Sequence, residues 1–368
     1  MKRLFVIVMS LLYVSPARAF EGVAILGDSM STGAAAHPQM EFDSWKIWEI
    51  FNGKTKLDAQ ADHVPPEFRK FVKGLESPTR VQPSVRENDG GSGWLWHNVT
   101  QLVSARTLEE HRLSFGYFVG LALGVAPKDI LLAGENGARA SRAWMHASRL
   151  IGARNGDIPE RIILLYSGND LCAQNYDEIT SADEYGNNLL SGMKYIVLNA
   201  HTPARGSKLF LPAFLPVTSL INETSILEHK IKLNGEEMTC KDARSKMFAT
   251  REESNEGLDD GRYQVFKNFI PPSPVLLCPT LFHPAAQDAA KQTLLANRIR
   301  AYRDAQKKAV ADFNEWRGRL HPGKAFEAVY LDGPEQVRFT GEDVAGDCFH
   351  LSAQGQGKVA GAILGGLL

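Results

Sequence analysis

Five short apolar runs, each closing on turn residues and each set apart from the next by a helical pattern, constrain this chain more than any other feature. They are VAILGDS (23–29), DILLAGEN (129–136), RIILLYSGND (161–170), LFLPAFLP (209–216) and FEAVYLDG (326–333). Runs that are apolar throughout, rather than alternating, are typical of strands covered on both faces. Between them lie ARASRAWMHASRLIGA (138–153), NNLLSGMKYIVLNAH (187–201) and LLANRIRAYRDAQKKAVADFNEW (294–316), and SAQGQGKVAGAILGGLL closes the chain. Strands alternating with helices predict an α/β fold, a three-layer α/β/α stack around a parallel five-stranded sheet. Two stretches break the rhythm, at about 40–127 and 217–293, and read as insertions on one domain spanning 20–368. The first carries the aromatic clusters SWKIWEIF and GGSGWLWHN, the second Cys240, Cys278 and PPSPVLLCP.

Residues 1–19 read as a signal peptide rather than part of the fold. Lys2 and Arg3 precede the apolar run Leu4–Val14, and Ala17-Arg18-Ala19 supplies an A-x-A cleavage pattern. The run falls short of the about 20 residues a membrane helix needs, and no later segment is long and apolar enough to span. The expected location is periplasmic or extracellular. In an exported chain the four cysteines, Cys172, Cys240, Cys278 and Cys348, are candidates for two disulfides. Three pairings are open, and the expected one joins Cys240 to Cys278 and Cys172 to Cys348. With 41 basic and 42 acidic residues the net charge is −1, so no nucleic-acid surface is implied.

Ligands of parallel α/β sheets gather at the carboxyl ends of the strands. The first strand ends in Gly27-Asp28-Ser29, the second in Gly134-Glu135-Asn136-Gly137 and the third in Gly168-Asn169-Asp170. Beyond the fifth comes GDCFHLSAQG, with Asp347 and His350. A serine hydroxyl needs a base before it attacks a carbonyl, and imidazole is the natural base at neutral pH. Asp347, three residues before His350, can hold the ring N–H and set its tautomer. An oxyanion hole is available from the backbone N–H of Ser29, the backbone N–H of Gly137 and the side-chain amide of Asn169. Gly134 also follows the second strand; Gly137, beside Asn136, is preferred. Taken singly, each block has a plainer explanation: Asp28 or Ser29 as a helix cap, Asn169 as a turn residue, Asp170 as another cap. Their order, each at a strand end or in a late loop, is what points to chemistry.

These four blocks resemble those of the SGNH (GDSL-type) hydrolases, esterases and lipases with a flavodoxin-like sheet. GNDLC and DCFHLSAQG are similar to the phospholipase-B-like branch, and GDSMSTGAAAHP with ENGARAS to acyloxyacyl-hydrolase-type members. The resemblance implies an exported serine esterase or lipase acting on acyl esters of lipids, either phospholipids or lipopolysaccharide acyl chains. It implies Ser29 as nucleophile, His350 as base, Asp347 as orienting acid, and Ser29, Gly137 and Asn169 as the oxyanion hole. No metal or organic cofactor is implied. Ser31 stands where a GxSxG nucleophile elbow would need glycine, which argues against that other hydrolase fold. A polysaccharide O-acetyl esterase of the same fold, or an exported binding module without catalysis, are the alternatives. His37, Trp94 and Trp96 are candidates for lining the substrate site; with Trp45 and Trp48 the tryptophans build either a small satellite core or an apolar wall over Ser29. His146, on an amphipathic helix, is expected at a boundary. The sequons at Asn98 and Asn222 carry no weight.

Overall fold

The computed structural model describes residues 20–38, 60–72, 76–81, 111–173, 175–201, 206–233, 235–246, 278–283 and 288–368. The predicted leader and the tryptophans at 45, 48, 94 and 96 lie outside the described residues.

The chain is an α/β protein around a parallel six-stranded sheet. In chain order the strands are β1 (Phe20–Gly27), β2 (Thr79–Arg80), β3 (Ile130–Leu132), β4 (Pro159–Leu165), β5 (Ser207–Pro212) and, last in the chain, β8 (Phe326–Leu331). A separate antiparallel hairpin joins β6 (Lys230–Leu233) to β7 (Glu236–Thr239). The sheet order is β2-β3-β1-β4-β5-β8. Without the two-residue edge strand β2, the five strands expected from the sequence stand in the order 2-1-3-4-5, so the chain reverses direction of travel across the sheet at β1. Register pairs Ile25 with Leu132 on one side of β1, and Gly27 with Leu165 on the other. The side chains from Val23 to Leu26 and from Ile162 to Leu165 are fully buried, which is why those runs lack polar alternation.

The helices that matter for the site are α1 (Ser29–Thr32), α2 (Phe115–Ala122), α3 (Ala143–Ala153), α4 (Ala182–Asn199), α5 (Ala289–Leu320) and α6 (Ala353–Leu367). Helix α2 packs on α6, while α4 packs on both α3 and α5, an arrangement compatible with one helical layer on each face of the sheet. Side-chain caps define several starts: Ser114 accepts from Tyr117 N, Ser181 from Glu184 N, Asp288 from Ala290 N, and Ser352 from Gly355 N.

Two expectations are corrected. The sheet has six strands, not five, because Val81 and β2 extend it beyond β3. The stretch 40–127 is not wholly an insertion, because it supplies β2 and α2. Helix α2 is buried from Phe115 through Leu121, and a helix apolar on every side shows no amphipathic stripe for a sequence reading to find.

Candidate active site

The carboxyl ends of β1, β3 and β4 meet around Gly27-Asp28-Ser29. Gly27 has no room for a side chain: a Cβ there would stand 2.1 Å from both the Leu165 carbonyl and Ser31 Oγ. Asp28 is the N-cap of α1, its Oδ1 accepting from Met30 N at 3.0 Å. Its Oδ2 accepts from Ser167 N at 2.7 Å and Ser167 Oγ at 3.1 Å, clamping the end of β1 to the loop after β4. Asp28 is fully buried; burial pushes its carboxyl upward, against the Ser167 and Met30 donors and the charge of His350. Ser31 Oγ donates to Leu165 O at 2.9 Å, and Thr32 Oγ1 to Asn136 Oδ1 at 2.6 Å. Ser29 therefore opens a short helix whose other polar side chains are spent on holding it between the β3 and β4 loops.

Asp347 and His350 sit in a tight hairpin whose base is the antiparallel bridge between Val344 and Leu351. Ala345 N donates to His350 O at 2.7 Å, and Cys348 N to Ala345 O at 2.9 Å. Asp347 Oδ1 accepts from the backbone of Phe349 at 3.0 Å and of His350 at 2.9 Å, while Oδ2 lies 2.5 Å from His350 Nδ1. Burial alone would raise the Asp347 carboxyl, but the His350 charge and these donors hold it below the usual carboxylate range. A carboxylate on Nδ1 keeps the proton there and leaves Nε2 as the basic nitrogen. The hairpin is tied to α1 through Gln356 of α6, fully buried, which donates to Met30 O at 3.0 Å and accepts from Phe115 N at 2.9 Å.

Gly137 and Asn169 come together at the third corner. Asn169 Nδ2 donates to Ala138 O at 3.2 Å, and Asp170 Oδ2 accepts from Ala140 N at 2.9 Å, joining the β4 loop to the β3 loop. Gly137 adopts φ 79° and faces open space, whereas a Cβ on Gly134 would be 3.0 Å from the Gly27 carbonyl. Of the two glycines, then, Gly137 is the open one and Gly134 is packed against β1. Buried Asp170 is pushed up to about 7, chiefly by desolvation. Behind these loops His146 is fully buried rather than at a boundary. Its Nδ1 lies 2.7 Å from Tyr166 Oη and its Nε2 3.7 Å from Glu135 Oε2, and Arg149 donates to the same Glu135 oxygen at 2.6 Å. Burial lowers the His146 pKa and favours the neutral ring.

The expected disulfide pairing is overturned: the bonds are Cys172–Cys278 and Cys240–Cys348. The middle stretch is not stapled to itself. Each of its cysteines reaches a different loop of the candidate site, one three residues after Asn169 and one inside the Asp347–His350 hairpin. Four residues after Cys240, one helical turn along 240–246, comes Arg244, which sequence reasoning did not find. It is buried, donating to Leu220 O at 2.8 Å, Ile221 O at 3.3 Å and Cys348 O at 2.6 Å. Burial lowers its guanidinium to about 10, against the attraction of Asp347, so it stays cationic at neutral pH. Arg244 also lies over the ring of Phe282, four residues after Cys278, at 5.1 Å. Phe282 meets Phe349 edge-on at 4.8 Å, and Phe349 lies 5.0 Å from His350. The two cysteine-anchored ends thus join beneath the hairpin, where Cys348 holds a left-handed φ of 60°. No local pattern signals either contact, because both arise from where 240–246 and Pro279–Phe282 dock on the hairpin.

His37 is buried, five residues after α1, and lines a cavity of about 460 Å³ on the flank of the hairpin. Trp94 and Trp96 lie outside the described residues. Among the described residues no cluster of His, Cys, Asp and Glu could hold a metal ion, and no helix is long and apolar enough to cross a membrane. No family model matches the chain, and no curated protein matches it.

Proposed function

We propose that the chain is an exported serine ester hydrolase of the SGNH (GDSL-type) kind, cleaving carboxylic acyl esters of lipids through an acyl-Ser29 intermediate. The observation that carries this reading is the buried Asp347–His350 pair, at 2.5 Å, bolted through Gln356 to the helix that begins with Ser29. His350 Nε2 takes the Ser29 proton as Oγ attacks the acyl carbon. The oxyanion is received by the backbone N–H groups of Ser29 and Gly137 and the Asn169 amide, each worth about 3–4 kcal/mol when such a donor is lost. His350 then gives its proton to the departing alkoxide, and the alcohol leaves. Water, deprotonated by the same imidazole, attacks acyl-Ser29 and releases the acid. Two disulfides, both at the site, are compatible with a protein that works outside the cytoplasm.

The test is hydrolysis of p-nitrophenyl esters from acetyl to palmitoyl by the mature chain, beside Ser29→Ala and His350→Ala. The proposal expects activity that peaks at long chains and is lost in both variants. A peak at acetyl would favour a polysaccharide deacetylase. No turnover in a folded protein would favour a binding module.

A further inference from the structure

The cavity that His37 lines is bounded by segments continuous with the catalytic ones. Residues 35–38 follow the nucleophile helix directly, 344–346 lead into Asp347, and 352–354 follow His350. The catalytic hairpin is therefore a shared wall between this cavity and the reacting groups. The remaining wall comes from the turn Ala61–His63 and from β6.

Half of its lining residues, Ile231 and Val344 among them, are apolar, and the polar half is rich in donors. His37, His63, His229, Lys230 and Lys232 are among its lining residues, with Asp62 as the single acidic one. His63 Nδ1 accepts from Gln60 N at 3.3 Å, so the neutral ring carries its proton on Nε2, as a donor. The ring of His229 makes no hydrogen bond, and Lys232 no ion pair within 4 Å, among the described residues; Lys230 is held by Glu237 at 2.9 Å. Strand β6 turns Ile231 and Leu233 inward and leaves Lys230 and Lys232 exposed. A metal is not the fitting guest, because His37 and His63 pack edge to face at 5.0 Å and no metal-holding cluster exists among the described residues. Several N–H donors, together with Lys232, whose cross-strand neighbour Glu237 bonds Lys230 instead, suit a compact oxyanion with many acceptor oxygens.

We propose that this cavity binds a phosphate group, and that the group belongs to the alcohol half of the ester whose acyl half reacts at Ser29. The second clause rests on the ester-hydrolase reading; the first does not. An ester with its phosphate seated against His229 and Lys232 would lie across the hairpin with its acyl carbon on the Ser29 side.

The experiment is calorimetric titration of the Ser29→Ala chain, which needs no turnover, with inorganic phosphate, glycerol 3-phosphate and glycerol. Both phosphate probes are expected to bind and glycerol not to. Lys232→Ala and His229→Gln, both outside the catalytic machinery and neither fully buried, should each weaken binding at least fivefold at unchanged melting temperature. Absence of binding by either phosphate probe, or equal affinity in both variants, overturns the proposal. A second arm assigns the source. If the phosphate is the substrate's, Lys232→Ala raises KM severalfold for a monoacylglycerol 3-phosphate and leaves the unphosphorylated monoacylglycerol unchanged. Equal KM effects on the two esters would overturn the headgroup assignment and leave free phosphate as the ligand. Failure of both esters to turn over at all would instead count against the hydrolase reading, with the calorimetry standing on its own.

Discussion

Arg244 is the residue whose removal discriminates most sharply between a scaffold and a catalytic device. Replacing it with Met keeps much of the apolar stem that packs on Phe282 but withdraws donors from three backbone carbonyls, those of Leu220, Ile221 and Cys348. A buried acceptor left without its donor costs about 1–3 kcal/mol, and removing the buried cation returns part of that as desolvation energy. A net loss of about 3 kcal/mol follows, which for a chain of 368 residues lowers the melting temperature by roughly 4 °C. The functional effect should be larger than this predicts. The Cys348 carbonyl belongs to the turn that aims Asp347 at His350, and a misplacement of about 1 Å in a catalytic group costs on the order of 100-fold in rate. The expected result is a kcat for a long-chain p-nitrophenyl ester reduced about 100-fold at 25 °C, well below the melting transition, with KM little changed. Arg244→Lys keeps the charge but not the fork of donors, so it should recover stability better than rate. A variant that loses stability yet keeps wild-type kcat when folded would refute the reasoning and leave Arg244 as scaffold alone.

Asp170 should give stability a pH dependence: folded, it holds its proton to about pH 7, whereas an unfolded Asp releases it near pH 4. Between those values the native state binds the extra proton, so stability falls as pH rises, by up to about 4 kcal/mol. Asp170→Asn should flatten that slope, gaining on the wild type at pH 8 and not at pH 5 in urea titrations; an unchanged slope would remove Asp170 as the cause. Gly137→Ala meets open space, so its cost is the left-handed backbone, about 1–2 kcal/mol. Because relief of that strain turns an oxyanion N–H, kcat should fall at least tenfold while the variant still folds, and equal kcat would exclude Gly137 from the hole.

What could be read from the sequence was whatever is local. The five strand runs and the Gly27-Asp28-Ser29, Gly168-Asn169-Asp170 and Asp347–His350 blocks are contiguous, and their order places the first two blocks at strand ends and the third in a late loop. Strand β2 escaped notice because two residues, Thr79 and Arg80, carry no period, and α2 because burial on all sides erases the helical stripe. The disulfide pairing depends on where 240–246 and Pro279–Phe282 dock, which no spacing encodes. Arg244 escaped for a related reason. Inside KDARSK it looks like one solvated charge among several, and only the fold shows it buried against Cys348.

The central claim, that Ser29 is a nucleophile activated by His350, is tested most directly by mapping a fluorophosphonate adduct with peptide mass spectrometry. The account predicts one stoichiometric adduct on the peptide carrying Ser29, absent in Ser29→Ala and formed at least 100-fold more slowly in His350→Ala. A folded wild-type chain that takes no label, or takes it on another residue, would contradict the account.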